Sequence, residues 1–180
     1  MKETFIQTYT GKKFDYLTAT VDVIDIEDIA TSLSNICRYC GQLPEFYSVA
    51  QHSVLCSQLV PAEFAFEALM HDAAEAYVQD LPAPLKALLH DYRRMEQMVD
   101  DLIRDKYGLP REHSPAVKRA DLIMLATERR DLEIDDGTRW SVLEGIPASD
   151  VIDICPLRPG QAYALFMNRF NELMEIRKCA

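Results

Sequence analysis

The chain has 180 residues and a mass of 20.6 kDa, which suits one domain and suffices to bury a core without disulfide or metal staples. A hydrophobic fraction of 48% and a charged fraction of 27% are ordinary globular values and exclude a largely disordered chain. With 19 Lys and Arg against 29 Asp and Glu, the net charge is −10 and the pI about 4.8, so the electrostatic footprint of a protein that binds a nucleic acid duplex is missing. Cations gathered at one site, a bound metal among them, would still serve a small anionic ligand. No apolar run approaches the ~18–20 residues of a membrane span, and the opening residues lack a signal-peptide stretch. A soluble, cytoplasmic protein is expected. Five cysteines, an odd count, fit reduced thiols. Cys37 and Cys40 form a single CxxC and are read as plain thiols at helical spacing.

The first 22 residues are β-like: Thr4 to Thr8 alternates, Gly11 offers a turn, and Phe14 to Tyr16 pairs back as a small hairpin. Asp25 then N-caps a helix to about Tyr39, with Ile26, Ile29, Leu33 and Ile36 on one stripe and Gly41 as the stop. A second helix covers about Ser48 to Leu59. Pro61 opens a third, carrying Phe64, Ala68, Leu69 and Asp72 onward, which must end before Leu81-Pro82-Ala83-Pro84. A short helix over residues 84–90 follows, then one from Tyr92 to Tyr107 closed by Gly108 and Pro110, then one from Pro115 to about Leu132. Asp135-Asp136-Gly137 marks a turn, and residues 138–158 read as irregular. Gly160 to Lys178 is a final amphipathic helix with Ala164, Phe166, Phe170, Leu173 and Ile176 as apolar positions. The expected fold class is all-α, a helical bundle with a small N-terminal hairpin, in a single domain over residues 1–180.

Chemistry concentrates in a few polar residues set in apolar helical surroundings. His71 and Asp72 are adjacent in FAFEALMHDAAEAYVQDLP, and burying two ionisable neighbours is costly unless they pair or hold a metal. Neighbours on a helix point ~100° apart, so both reach an ion lying between their directions. Glu75, four residues on, stacks on nearly the same helix face as His71, and Asp80 follows before the Pro-x-Pro turn. His52 and Asp121 sit in two further apolar helical stretches. Two imidazoles and two carboxylates form a mixed N/O set that suits a first-row divalent ion (Mn, Co, Fe, Ni or Zn) better than Ca.

The order His52, His71-Asp72, Asp121 resembles the HD-domain metal-dependent phosphohydrolases. The stretch HDAAEAYVQDLPAPLK is similar to the HDxxExxxxDxPxPxK signature of their 5′-deoxynucleotidase-like branch, and Arg38-Tyr39 to that branch's Arg–aromatic pair. The likeness covers roughly residues 25–135. It implies an HD-domain helical bundle in which His52, His71, Asp72 and Asp121 bind one divalent transition metal ion. Glu75 would orient and deprotonate the attacking water, and Asp80 would act as general acid for the leaving 5′-oxygen. Arg38 and Lys86 would hold phosphate oxygens, and Tyr39 would pack on sugar or base. The implied activity is hydrolysis of deoxyribonucleoside 5′-monophosphates by a metal-bound water, whose pKa such an ion lowers from ~15.7 to about 7. The implied partners are a deoxynucleotide substrate and a second copy in a homodimer, with no membrane. Alternatives are a deoxynucleoside triphosphate triphosphohydrolase, for which Lys118, Arg119, Arg129 and Arg130 are the spare cations, and a non-catalytic nucleotide-sensing module.

The remaining polar residues take plainer readings. His90-Asp91 is a second His-Asp pair without the downstream Glu and proline pattern, and a solvated position is expected for it. His113 reads as a satisfied core histidine. Residues 91–96 read as a solvated helix face, and Glu128, Arg129, Arg130 and Asp131 as salt-bridged surface. Trp140 and Tyr163 read as packing residues.

Overall fold

The computed structural model describes residues 3–179. Two short strands, β1 (Phe5–Gln7) and β2 (Lys13–Asp15), form the antiparallel hairpin, with Ile6 opposite Phe14. Eight α-helices follow among the described residues, so the protein is all-α with a small N-terminal hairpin. Helix α1 (Ile26–Asn35) is capped by Asp25, whose side chain accepts from the Glu27 amide at 2.9 Å. Helix α2 (Val49–Gln58) is capped by Ser48, which accepts from the Gln51 amide.

Three boundaries differ from the sequence expectation, each for a local reason. Helix α1 stops at Asn35 rather than Tyr39, because Ile36 and Cys37 turn extended and pair with the chain entering α2. Arg38 N donates to Tyr47 O and Val49 N to Ile36 O, at 2.9 and 3.1 Å. Cys37 and Cys40 are therefore not at helical spacing; both are free thiols. Second, the expected third helix breaks in two, α3 (Ala65–Leu69) and α4 (Glu75–Val78). The Ala68 carbonyl, which a continuing helix would offer to the Asp72 amide, accepts instead from His71 Nδ1 at 2.7 Å. Residues 70–75 are then tied by tighter i to i+3 bonds, such as Glu75 N to Asp72 O at 3.0 Å. His71 and Asp72 thus lie in a turn, and the helical stacking of Glu75 on His71 is lost. Third, the short helix α5 (Ala83–Lys86) is followed by α6 (His90–Tyr107), which starts two residues before Tyr92. Helix α6 ends on Gly108, at φ 62°.

Helix α7 (Pro115–Asp131) starts as read, with Ser114 as cap and Pro115 in the first turn, and α8 (Pro159–Cys179) closes the fold. Phe166, Phe170 and Leu173 of α8 are buried in the main core with Ile29, Leu33, Val54 and Phe66. The apolar stripe of α8 is thereby used within the chain, whereas Ala164 and Ile176 are exposed. A smaller cluster gathers Cys56, Met124 and Ile152.

The hairpin braces the segment that carries His71, Asp72 and Glu75. Phe14 is fully buried and stacks on Tyr77 of α4, ring centroids 4.5 Å apart. Tyr16 Oη donates to Tyr77 O at 2.5 Å, and Ser32 Oγ of α1 donates to Ala76 O at 2.8 Å. Truncating Phe14 to Ala is expected to cost about 3–5 kcal/mol, measured as a lower urea midpoint by circular dichroism.

Candidate metal centre

The site is built where α2, the 70–75 turn and α7 meet. His52 lies fully buried in α2, and its Nδ1 donates to Glu128 Oε1 at 2.5 Å. Nε2 then faces Asp121 Oδ1, 3.2 Å away, and is the nitrogen left to an ion. His71 reaches the same space by the same logic: Nδ1 is tied to the Ala68 carbonyl, and Nε2 lies 3.2 Å from Asp72 Oδ2 and 3.8 Å from Asp121 Oδ1. The two rings stand 5.3 Å apart. Fixing one ring nitrogen by an outer partner so that the other faces an ion is how metal-binding histidines are oriented.

All four expected ligands are therefore brought together, with one addition. One donor atom from each of His52, Cys56, His71 and Asp121 lies within 4.8 Å of the others. Asp72 stands at the edge of this group, its Oδ2 also 3.7 Å from His52 Nε2 and 3.6 Å from Arg38 Nη1. His71 Nε2 is buried and has no hydrogen-bond partner among the described residues, which a metal ion would supply. The donors fit a divalent cation, and the group could hold one.

Electrostatics agree with the chemistry of the donors. Burial pushes the His71 pKa down, but Asp72 and Asp121 outweigh it and hold it well above 6.5. Burial raises the Asp121 carboxyl, yet His52 and His71 keep it well below its ordinary value. Without an ion, imidazolium protons neutralise the carboxylates; a cation entering the group takes over that role and releases protons.

Glu128 is the residue the sequence reading misplaced. Expected on a salt-bridged surface, it is fully buried. Its Oε2 accepts from Arg38 Nε and Nη2, both at 3.2 Å, and from Tyr39 Oη at 2.6 Å, while Oε1 takes the His52 proton. The signal was present: Glu128 falls seven residues after Asp121 and so shares its helix face, just as Cys56 falls one turn after His52. The other members of that charge run behave as expected. Arg129 pairs with Asp135 and covers Trp140 at 4.9 Å, and Arg130 pairs with Asp131.

Of the expected substrate contacts, Arg38 and Tyr39 are turned onto Glu128. Lys86 Nζ donates to Glu96 at 2.6 Å and lies 3.9 Å from Glu75 Oε1. Burial, then Asp72 and Asp80, push Glu75 well above 4.5, and its Oε2 has no hydrogen-bond partner among the described residues. Burial also raises Asp80, against the pull of Arg38. The two carboxyls thus shift in the same direction.

A cleft of about 870 Å³ opens beside His71 and Asp72. Lys86, Arg93, Arg94, Arg104, Arg111 and Lys118 line it, and so do Asp72, Glu75, Glu96, Asp100 and Glu112. Arg93, Arg94 and Glu96, read from the sequence as a solvated face, therefore border the site. His90 is exposed as expected and also lines the cleft. His113 is not a core residue: it sits on the cleft, ring 6.3 Å from that of His71, held against Arg104 Nη2. Burial, Arg104 and His71 depress its pKa to about 4. Fully buried Arg104 also donates to Asp100 and to the Pro110 carbonyl, fixing the turn that carries His113.

No protein-family model matches the chain. It is 66% identical over 176 residues to the uncharacterized protein YfdR of Escherichia coli strain K12, covering 98% of this chain and 99% of YfdR. An uncharacterized protein of Rhodobacter capsulatus is 32% identical over 130 residues, covering 67% of this chain and 66% of the relative. The chain belongs to the family of YfdR. No helix among the described residues is long and apolar enough to cross a membrane.

Replacing Glu128 by Ala leaves the buried Arg38 charge with only the longer contact to Asp72, 3.6 Å, and is expected to cost about 3–5 kcal/mol of stability. Burial raises Glu128, but Arg38 and His52 hold it below its ordinary 4.5. Its contribution is thus full above pH 4.5 and lost as pH falls through its lowered folded value. Urea unfolding at a series of pH values should show the gap between wild type and Glu128→Gln closing on acidification.

Proposed function

We propose that this member of the YfdR family is a divalent-metal-dependent phosphohydrolase of the HD type. The proposed reaction cleaves deoxyribonucleoside 5′-monophosphates to deoxynucleoside and phosphate. The observation that carries the reading is the convergence of two histidine Nε2 atoms and two carboxylates at one end of a cleft that holds both basic and acidic side chains, in a chain of net charge −10. Acidic and basic side chains nearly balance along the cleft, so an anionic ligand is repelled less there than by the acidic chain as a whole.

His52, His71, Asp72 and Asp121 would hold the ion. When bound, the ion supplies concentrated positive charge that acidifies water and polarises a phosphoryl oxygen. Glu75 offers its unpartnered Oε2 to the proton of the attacking water. Burial raises Glu75 most; a cation beside Asp72 would offset the carboxylate repulsion that adds to it and so favour the ionised base. Asp80, whose carboxyl burial raises, would pass a proton to the departing 5′-oxygen. Lys86 and the Nη1 arm of Arg38, the arm not engaged with Glu128, meet phosphoryl oxygens.

The triphosphate alternative draws support from a separate observation. Arg93 and Lys118 line the cleft and have no salt-bridge partner among the described residues. A monophosphate leaves them unused, whereas a longer polyanion would engage them. Arg129 and Arg130 are already paired elsewhere.

Assays with deoxynucleoside mono- and triphosphates and added Mn, Co or Zn decide the matter. Phosphate release that stops on chelation is expected. Glu75→Ala should lower turnover by about 10²–10⁴-fold with metal content unchanged by elemental analysis. Loss of metal together with activity would remove Glu75 from the proton-transfer role. If triphosphate is the substrate, inorganic triphosphate appears as product, and Arg93→Ala or Lys118→Ala raises KM for it.

A further inference from the structure

The four-donor group includes a sulfur that neither the residue pattern nor the HD resemblance assigns. Cys56 follows His52 by four residues on α2, so the two share one helix face. Its Sγ is fully buried and lies 3.4 Å from His52 Nε2. In a tetrahedral site with metal–sulfur bonds of about 2.3 Å and metal–nitrogen bonds of about 2.0–2.1 Å, sulfur and nitrogen stand about 3.5 Å apart. The observed separation is that of two ligands on one ion. The distance from His52 Nε2 to Asp121 Oδ1, 3.2 Å, fits the same ion. Because the His52 Nδ1 proton is given to Glu128, Nε2 has a lone pair for the ion.

Resting on the metal-site reading above, we propose that Cys56 is a direct sulfur ligand of the ion. Cys56 then joins His52, His71 and Asp121 as a donor, Asp72 lies beside them toward Arg38, and an ion of higher coordination number would keep a position for water. Binding transfers the thiol proton to solvent as the metal–sulfur bond forms, with no change in oxidation state. A thiolate shifts preference away from hard ions such as Mg and Mn and toward Zn, Co and Fe. The same sulfur packs against Met124 and Ile152, apolar neighbours that keep water from the bond.

The test is optical and does not depend on turnover. Cobalt(II) added to the full chain should give visible d–d bands together with a near-ultraviolet thiolate-to-cobalt charge-transfer band. Cys56→Ser and Cys56→Ala should abolish the charge-transfer band while the d–d bands persist. The band should survive when Cys37, Cys40, Cys155 and Cys179 are all replaced by Ser. Zinc affinity in a chelator competition should fall about tenfold or more in either Cys56 variant, and manganese affinity should change much less. Bound cobalt without the charge-transfer band in wild type, or a band unaltered in Cys56→Ser, overturns the sulfur ligand and leaves the phosphohydrolase reading standing. Failure of wild type to bind cobalt, zinc or manganese overturns both.

Discussion

A carboxylate with no exposed surface organises the centre of this protein. Glu128 receives hydrogen bonds from Arg38, Tyr39 and His52 at once. A buried charge is tolerated only when paired and fully hydrogen-bonded, so two separate segments, the turn after α1 and helix α2, must converge on it. That convergence fixes the His52 ring and chooses which nitrogen faces the other donors. It also dictates the shape of the turn after α1. Tyr39 and Cys40 adopt left-handed backbone, at φ 56° and 53°, and Gly41 follows at 73°. Each non-glycine residue there costs about 1–2 kcal/mol. The bonds from Arg38 and Tyr39 to Glu128 hold the turn in that shape.

The second organising event is the break in the chain between α3 and α4. A continuous helix would have set His71 and Asp72 by helical periodicity alone. Instead, the His71 side chain takes a backbone carbonyl, the helix yields, and two neighbouring side chains end with Nε2 and Oδ2 3.2 Å apart. The small hairpin, which looks peripheral in the sequence, is what steadies this interruption. Phe14 and Tyr16 press on Tyr77, directly after the segment that bends.

How far the sequence could be read depended on the kind of constraint involved. Periodicity, caps and prolines revealed the helices well: Asp25, Pro115 and Gly108 sit where local chemistry predicts. The convergence of His52, His71, Asp72 and Asp121 was legible because ionisable residues in apolar surroundings need partners. What escaped were features decided by distant contacts. The end of α1 is set by pairing with residues near Ser48, and the break at His71 by a side chain competing for a carbonyl. Glu128 was misread because it lies in a run with Arg129, Arg130 and Asp131, and composition of a run does not say which member turns inward. Tyr39 and Arg38 were read as facing a ligand, whereas their bonds go to that same inward member.

Part of the cleft wall comes from a helix that supplies none of the donors. His52, His71, Asp72 and Asp121 are supplied by α2, the 70–75 turn and α7, while Arg93, Arg94 and Gln97 project from α6. Such a division of labour makes the scaffold readily retooled. Drift along one outward-facing helix can reshape which molecules are admitted, while the inner machinery is inherited untouched.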